Sequence, residues 1–222
     1  MHVATTTQLT PDLEHLDAQG IIEYAVERFH PRLTLACSFQ KEASVTLDLL
    51  LRAAPDASIF TLDTHVLFPE TYDTWRRVEE RYGIEVEVFQ GPSLGLQAAT
   101  RGDRLWERDP DACCDLRKVK PLDAALAGHD AWIAGLRRDQ SPSRAGTPKL
   151  AWDAKHGLWK FNPLADWADA DVWRYITDHD LPYNPLHDQG YPTIGCTHCT
   201  VPGAGREGRW AGTGKTECGL HA

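Results

Sequence analysis

Apolar positions along this chain follow two alternating rhythms. Residues 11–29 place Leu13, Leu16, Ile21, Tyr24 and Ala25 at helical spacing. Residues 33–37 form a short apolar run of strand type. A second helical pattern over 42–54 carries Val45, Leu47, Leu49 and Leu50, and a second strand covers 58–62. A helix over 69–82 starts on a proline and stops at Gly83. Residues 84–89 alternate apolar and acidic side chains, as a half-exposed strand would. A helix over 110–127 ends at Gly128, and a fourth strand covers 131–134. This β-α-β-α order predicts an α/β fold, a doubly wound and mostly parallel sheet covered by helices.

After residue 137 the rhythm breaks. Two short aromatic stretches, 150–152 and 158–161, interrupt polar and glycine-rich sequence, and one last helix is predicted over 169–179. From Pro182 onward the chain is rich in Pro and Gly, lacks periodicity and holds three of the six cysteines. A loop-rich segment this long is usually functional. It has too little apolar content for a core of its own. The organisation expected is one domain over 1–222, with an α/β nucleotide-binding core at about 31–180 and a functional tail at 181–222.

Composition narrows the class. Among 222 residues, 42% are hydrophobic, too many for a disordered chain. Six cysteines are too few for a disulfide scaffold of this length. No apolar run reaches the roughly 20 residues of a membrane span, and residues 1–10 show no signal peptide. A cytoplasmic, reducing setting is therefore expected, where cysteines serve as metal ligands or reactive thiols. The net charge of −9 argues against nucleic acid as a partner. That charge is uneven: residues 1–100 hold seven basic against fifteen acidic side chains, residues 101–222 sixteen against seventeen. An anionic ligand is expected to find its cations in the second half.

In an open α/β sheet, ligands bind beyond the carboxyl ends of the strands. The first strand runs into Ser38-Phe39-Gln40-Lys41-Glu42, the second into Asp63-Thr64-His65, the fourth into Gly135-Leu136-Arg137-Arg138. Ser38 alone could be a helix cap; the three polar strand ends together favour an anion or nucleotide cleft. Gly203-Ala204-Gly205-Arg206-Glu207-Gly208 fits the spacing of a dinucleotide fingerprint, but no strand precedes it. Gly214-Lys215-Thr216 resembles the end of a phosphate loop, but Arg209 stands where that motif needs glycine.

The cysteines carry most chemical information. Cys113-Cys114 are adjacent on a predicted helix, and Cys196-Thr197-His198-Cys199 is a C-x-x-C pair. Four thiolates suit Zn²⁺ or an iron–sulfur cluster. Adjacent cysteines are awkward around one tetrahedral ion and easier around a larger cluster, which favours the cluster. A redox C-x-x-C with two incidental cysteines is the remaining alternative. Cys218, near Lys215 and His221, can be a nucleophile or an idle terminal thiol. Cys37 reads as a buried core thiol. Arg117 and Lys118 follow the cysteine pair by one turn; Arg137, Arg138 and Arg144 follow the fourth strand; Arg206 and Arg209 are three apart. Their guanidinium forks suit phosphate and sulfate oxygens.

These motifs together resemble the assimilatory adenylyl-sulfate reductases of the bacterial iron–sulfur type, within the adenylyl-sulfate and phosphoadenylyl-sulfate reductase family. The matching text is Cys113-Cys114-x-x-Arg117-Lys118, Gly135-Leu136-Arg137-Arg138-x-Gln140-Ser141, Cys196-x-x-Cys199, Arg206-x-x-Arg209 and Lys215-Thr216-Glu217-Cys218-Gly219-Leu220-His221, with Leu62-Asp63-Thr64 and Leu67-Phe68-Pro69-Glu70-Thr71. The resemblance implies an adenine-nucleotide-binding (adenine nucleotide alpha hydrolase-like, Rossmann-like) fold. It implies a [4Fe–4S] cluster on Cys113, Cys114, Cys196 and Cys199, and Cys218 as the thiolate that attacks the sulfur of adenylyl sulfate. AMP leaves, and a thioredoxin or glutaredoxin-like thiol releases sulfite from the S-sulfocysteine. Ser38, Asp63, Thr64, Arg117, Lys118, Arg137, Arg138, Arg206, Arg209 and His221 are then expected to bind substrate. Departures from the family pattern are the Ser38–Glu42 loop, His65 in place of a frequent glycine, and the aromatic-poor stretch from Trp210 to Gly214. Alternatives are reduction of phosphoadenylyl sulfate or of both nucleotides, a non-catalytic zinc-binding module, and an RNA-thiolating enzyme, which would need a glycine-rich pyrophosphate loop absent from Ser38–Glu42. Homo-oligomers are compatible with the sequence.

Overall fold

The structure, a computed structural model, describes residues 11–221. Its centre is a six-stranded sheet in the order β3-β2-β1-β4-β6-β5. The strands are β1 (Leu33–Ala36), β2 (Ser58–Asp63), β3 (Glu87–Gln90), β4 (Ala131–Ile133), β5 (Leu150–Asp153) and β6 (Leu158–Phe161). All neighbours are parallel except the β5–β6 pair. Leu35 is the register point, opposite Ile59 of β2 on one side and Ile133 of β4 on the other. The chain winds outward from β1 to β3, then returns to the other side at β4. That reversal between β1 and β4 opens a crevice at the strand ends.

Successive residues of a strand face opposite sides, and the two buried clusters follow that rule. Leu33, Leu35, Ile59, Ala131 and Ile133 pack toward α1 (Ala18–Phe29), α2 (Lys41–Ala53) and α8 (Asp169–Asp178). Phe60, Trp132 and Ala134 face the other way, onto Leu122, Ala125 and Leu126 of α7 (Lys120–Leu126). Burying each such aliphatic side chain contributes about 1.5–3 kcal/mol. This is the expected doubly wound, mostly parallel α/β architecture, and α3 (Pro69–Tyr82) occupies the expected residues.

Differences from the sequence expectations have local causes. The first helix begins at Ala18 rather than residue 11, because Asp17 caps it through the Gly20 N–H at 2.8 Å. Leu13 still reaches the core from the preceding turn. The third strand starts at Glu87, not 84, because the Val86 N–H is taken by the Glu79 carboxylate of α3. Two short helices, α4 (Leu94–Arg101) and α5 (Leu105–Arg108), occupy a stretch without a clear sequence period. The aromatic stretches 150–152 and 158–161 are the antiparallel β5–β6 hairpin.

The helix expected over 110–127 is interrupted. It runs as α6 (Pro110–Cys114), a π-helical turn over Asp115–Val119, and then α7. Pro121 explains the widening: it lacks an N–H and crowds the carbonyl four residues earlier. Such π turns recur at functional sites, and this one directly follows the cysteine pair.

Candidate active site

The crevice at the strand ends is a cleft of about 1170 Å³, counting its open mouth. Its floor comes from β1, β2 and β4 through Ser38, Thr64, Trp132 and Gly135, with Gln40 beside them. Its roof is the tail: Thr193 to Gly195, Arg206, Arg209, Cys218, Leu220 and His221. Lys118 and Arg144 complete the wall. Gly135 lets Glu42 of α2 pack closely, since an added Cβ would stand 3.0 Å from the Glu42 Cβ.

The tail is fastened to the sheet by polar contacts. The Gln40 amide oxygen accepts from the Ile194 N–H at 2.7 Å. The Thr197 N–H donates to the Val66 carbonyl at 2.8 Å, and Leu67 pairs antiparallel with Cys196. This brings Cys196 within 3.3 Å of the Thr64 hydroxyl. The backbone N–H of Trp210 donates to the Cys199 carbonyl at 2.9 Å. Lys215 forms an ion pair with Asp111 on α6 and lies over the Trp210 ring.

Behind the cleft lies a smaller pocket of about 360 Å³. Cys113, Cys114, Cys196 and Cys199 all line it, with Trp106, Trp210 and Lys118. Two pairs 82 residues apart in sequence, Cys114 and Cys196, thus meet through the π turn and the tail loop. Among the described residues no three His, Cys, Asp or Glu groups have the spacing that a single metal ion needs. Thiols spread around a pocket fit a body larger than one ion, and thiolates are the donors for a soft metal centre. Burial, followed by the neighbouring thiols, pushes Cys113 and Cys199 up to about 11. Metal coordination reverses that by holding thiols deprotonated.

Lys118 lines both cavities. Burial disfavours its charge, but the nearby sulfurs of Cys196, Cys218 and Cys114 outweigh that and the repulsion of Arg209, and hold the ammonium above its ordinary range. Cys218 is 9% exposed and packs against Cys114 and Trp210 while lining the cleft. The expected reactive thiol is therefore folded down between the two cavities.

The other sequence-derived residues divide into two groups. Ser38, Thr64, Lys118, Arg206, Arg209 and His221 line the cleft. Arg209 lies flat against Gly195, where any Cβ would stand 2.5 Å from its guanidinium, and over the Trp210 ring. Its Nε is buried without a hydrogen-bond partner among the described residues. Burial and the adjacent Arg144 push Arg206 down to about 10.

Asp63, Arg117, Arg137 and Arg138 do not face the cleft, and each has a structural engagement instead. Asp63 accepts from the Tyr72 hydroxyl at 2.7 Å, the Gln90 amide at 3.0 Å and the His65 N–H at 2.8 Å, holding His65 in a left-handed conformation. Arg117 is 1% exposed; its fork donates to Gln97 and to the carbonyls of Thr64 and Pro92. Arg137 joins Glu42, Asp139 and Asp169 beneath the first loop. Arg138 pairs with Glu14 at 2.6 Å. Spacing groups these cations by sequence; only the fold decides which of them points inward.

Arg144, grouped with the basic residues after the fourth strand, does line the cleft, while Trp132 and Lys160 carried no signal in the sequence. Arg144 donates to Glu217 at 2.9 and 3.0 Å, and Arg206 donates to the same carboxylate at 2.9 Å. Burial opposes the Glu217 charge, but the two arginines hold that carboxyl below its usual range. Trp132 on the floor and Lys160 of β6 flank His221. Lys160 is a lone lysine within an aromatic strand, and nothing local marks it. Cys37 is in the core as expected, its thiol pushed up to about 12 by burial. The Gly203–Gly208 segment is a turn: a Cβ on Gly208 would lie 2.0 Å from the Val201 carbonyl. Among the described residues no helix is long and apolar enough to cross a membrane.

Comparisons with known proteins agree in one direction. The profile of the phosphoadenosine phosphosulfate reductase domain matches residues 32–202. An adenosine 5'-phosphosulfate reductase of Lysinibacillus sphaericus is 49% identical over 210 residues, covering 92% of this chain and 90% of its own. A phosphoadenosine 5'-phosphosulfate reductase of Gloeobacter violaceus is 47% identical over 227 residues, covering 98% and 94%. Among solved structures, a phosphoadenylyl-sulfate reductase from Candida auris in a phosphate complex superposes with a TM-score of 0.75 at 32% identity, over 87% of this chain and all of that one.

Proposed function

The chain belongs to the phosphoadenosine phosphosulfate reductase domain family, and on that premise we propose that the cleft reduces adenylyl sulfate to sulfite and AMP with Cys218 as nucleophile. It is an oxidoreductase acting on sulfur, in sulfate assimilation, as relatives named adenosine 5'-phosphosulfate reductase at 48–49% identity support. The observation that carries the residue assignment is the position of Cys218. It lies in a cleft whose other walls are Lys118, Arg144, Arg206 and Arg209.

A thiolate approaching adenylyl sulfate, which carries one negative charge on its sulfate and one on its phosphate, is repelled unless cations intervene. Lys118, Arg206 and Arg209 supply them, and Arg144 extends the set toward Glu217. The Cys218 sulfur attacks the sulfate sulfur, forming an S–S bond as the S–O bond to the phosphate breaks. The electron pair leaves on the phosphate oxygen of AMP, where the same cations stabilise it. A second thiol, from a thioredoxin or glutaredoxin-like dithiol, attacks Cys218 and expels sulfite; its partner thiol resolves the mixed disulfide. Sulfur gains two electrons and the dithiol loses two. Ser38 and Thr64 line the nucleotide end.

The four-thiol pocket suits a [4Fe–4S] cluster on Cys113, Cys114, Cys196 and Cys199. Bound there, the cluster supplies a fixed charge field beside Lys118 and ties the tail to the helix. The chain is read as one reductase domain, residues 31–180 holding the nucleotide and 181–222 the thiol chemistry.

The test is to mix the anaerobically purified protein with adenylyl sulfate, omit reductant, and locate the added sulfonate by mass. It is expected on Cys218. Modification elsewhere, or none, overturns the assignment. The phosphoadenylyl-sulfate relative at 47% identity supports a second reading, turnover of the 3'-phosphorylated nucleotide. Sulfite release measured from both nucleotides separates them, with faster turnover of adenylyl sulfate expected.

A further inference from the structure

His221 is three residues beyond Cys218 and lines the cleft. Its ring is nearly parallel to Trp132, with centroids 5.7 Å apart and planes 16° apart. The Lys160 ammonium is 3.0 Å from the His221 Nδ1 and 4.8 Å from the Trp132 ring centre. The indole N–H of Trp132 donates in turn to Asp153 at 3.2 Å. Thus β4, β6 and the tail meet at one imidazole.

An ammonium has three donors and no acceptor. A nitrogen that accepts from it cannot itself carry a proton, so the proton of a neutral ring resides on the other nitrogen. We propose that Lys160 is a positioning residue for His221: its donation to Nδ1 fixes the Nε2–H tautomer and leaves that N–H to donate to anionic oxygens in the cleft. Burial, with the cations Lys160, Arg144 and Arg206 around it, holds His221 well below its ordinary range, so the ring stays neutral. Lys160 is itself pushed down to about 8 by burial, against the opposing pull of Asp153, Cys218 and Glu217. The ammonium form predominates below that pH. Without Lys160, the ring could take either tautomer or turn over, and half of its orientations would present a lone pair to an anion.

The kinetic part of this inference rests on the reductase reading; the tautomer does not. The test uses the full-length protein labelled with ¹⁵N-histidine, with Lys160→Met, Lys160→Arg, His221→Gln and the Lys160→Met/His221→Gln double variant. In wild type, the His221 Nδ1 resonance is expected in the unprotonated range, and Nε2 in the protonated range. Lys160→Arg, another donor-only cation, should retain that pattern, whereas Lys160→Met should lose it. Steady-state assays on adenylyl sulfate should show kcat/KM about tenfold lower for Lys160→Met, mostly through KM. On the His221→Gln background the same change should alter kcat/KM less than twofold. A protonated Nδ1 in wild type, a retained tautomer in a folded Lys160→Met, or additive kinetic losses overturns the proposal. A wild-type protein that fails to reduce adenylyl sulfate yet shows the Nε2–H tautomer refutes the reductase reading and leaves the pairing standing.

Discussion

The sheet and the tail of this molecule are held by different forces. Around β1 and β4, order comes from apolar side chains alternating between two faces: Leu33, Leu35 and Ile133 on one, Phe60 and Trp132 on the other. From Pro182 onward, a few buried side chains such as Leu186, Ile194 and Trp210 are supplemented by individual polar contacts, close glycine approaches and two thiols, Cys196 and Cys199, that meet Cys113 and Cys114 around a pocket. The first region has many interchangeable contacts, each modest. The second relies on directional contacts between particular partners, such as Gln40 with Ile194 and Thr197 with Val66. Stability therefore resides mainly in the sheet and chemistry mainly in the tail, so a substitution should move one property with little effect on the other.

The largest expected effect tests that separation at Cys218. Cys218→Ser should lower sulfite release by at least about a thousandfold with an unchanged melting temperature. Substantial residual turnover, or a large thermal loss, would break the comparison. Next is the thiol pocket. Cys196→Ser should remove iron and the broad absorption near about 400 nm expected of an iron–sulfur protein. Tail cleavage by protease should rise while far-ultraviolet circular dichroism of the sheet persists. A colourless wild type with stoichiometric zinc and no iron would contradict the cluster assignment.

Ile133→Ala, in the sheet, should cost about 2–5 kcal/mol and roughly 5–15 °C in melting temperature. Turnover per folded molecule should stay within about twofold of wild type. Gly195→Ala provides the contrast in the tail: its Cβ would stand 2.5 Å from the Arg209 guanidinium. Displacing one cation of the cleft, proposed to hold the substrate, should raise KM roughly tenfold with little thermal change.

The smallest effect concerns a clasp between the regions. His187 accepts from the Lys41 N–H through Nε2 at 3.2 Å and donates through Nδ1 to the Tyr191 carbonyl at 2.8 Å. Burial lowers its proton affinity. The folded state thus disfavours the imidazolium, and the unfolded chain takes up more protons below its own pKa of about 6.5. Stability should be full above that pH and fall on acidification. Melting curves from pH 7.5 to 5.5 should show a shallower decline for His187→Gln than for wild type.

The same division governs what the sequence revealed. Helix and strand periods around Leu35, Val45 and Ile133 located the core elements, because burial imposes a repeat that survives in one dimension. The cysteine pairs and the string around Cys218 pointed to the candidate site because such patterns are rare, and the fold brings them to two adjoining cavities. Side-chain direction was not legible. Arg117 and Lys118 are adjacent in sequence, yet the π turn buries one against Gln97 and presents the other to the cleft. Arg144, named from the sequence as one of the cations after the fourth strand, meets Glu217 through the short turn at Pro142–Arg144, and Lys160 reaches His221 from β6 with no local marker.

The carboxylate of Glu217 lies between Arg144 and Arg206, one residue from Cys218. In a cleft lined by guanidinium groups, that arrangement acts as a built-in counterion. An entering oxyanion is expected to meet positive charge that this acid already partly neutralises. The number of small ions released on binding is then low. Affinity for the nucleotide should depend on salt less steeply than the count of arginines alone implies.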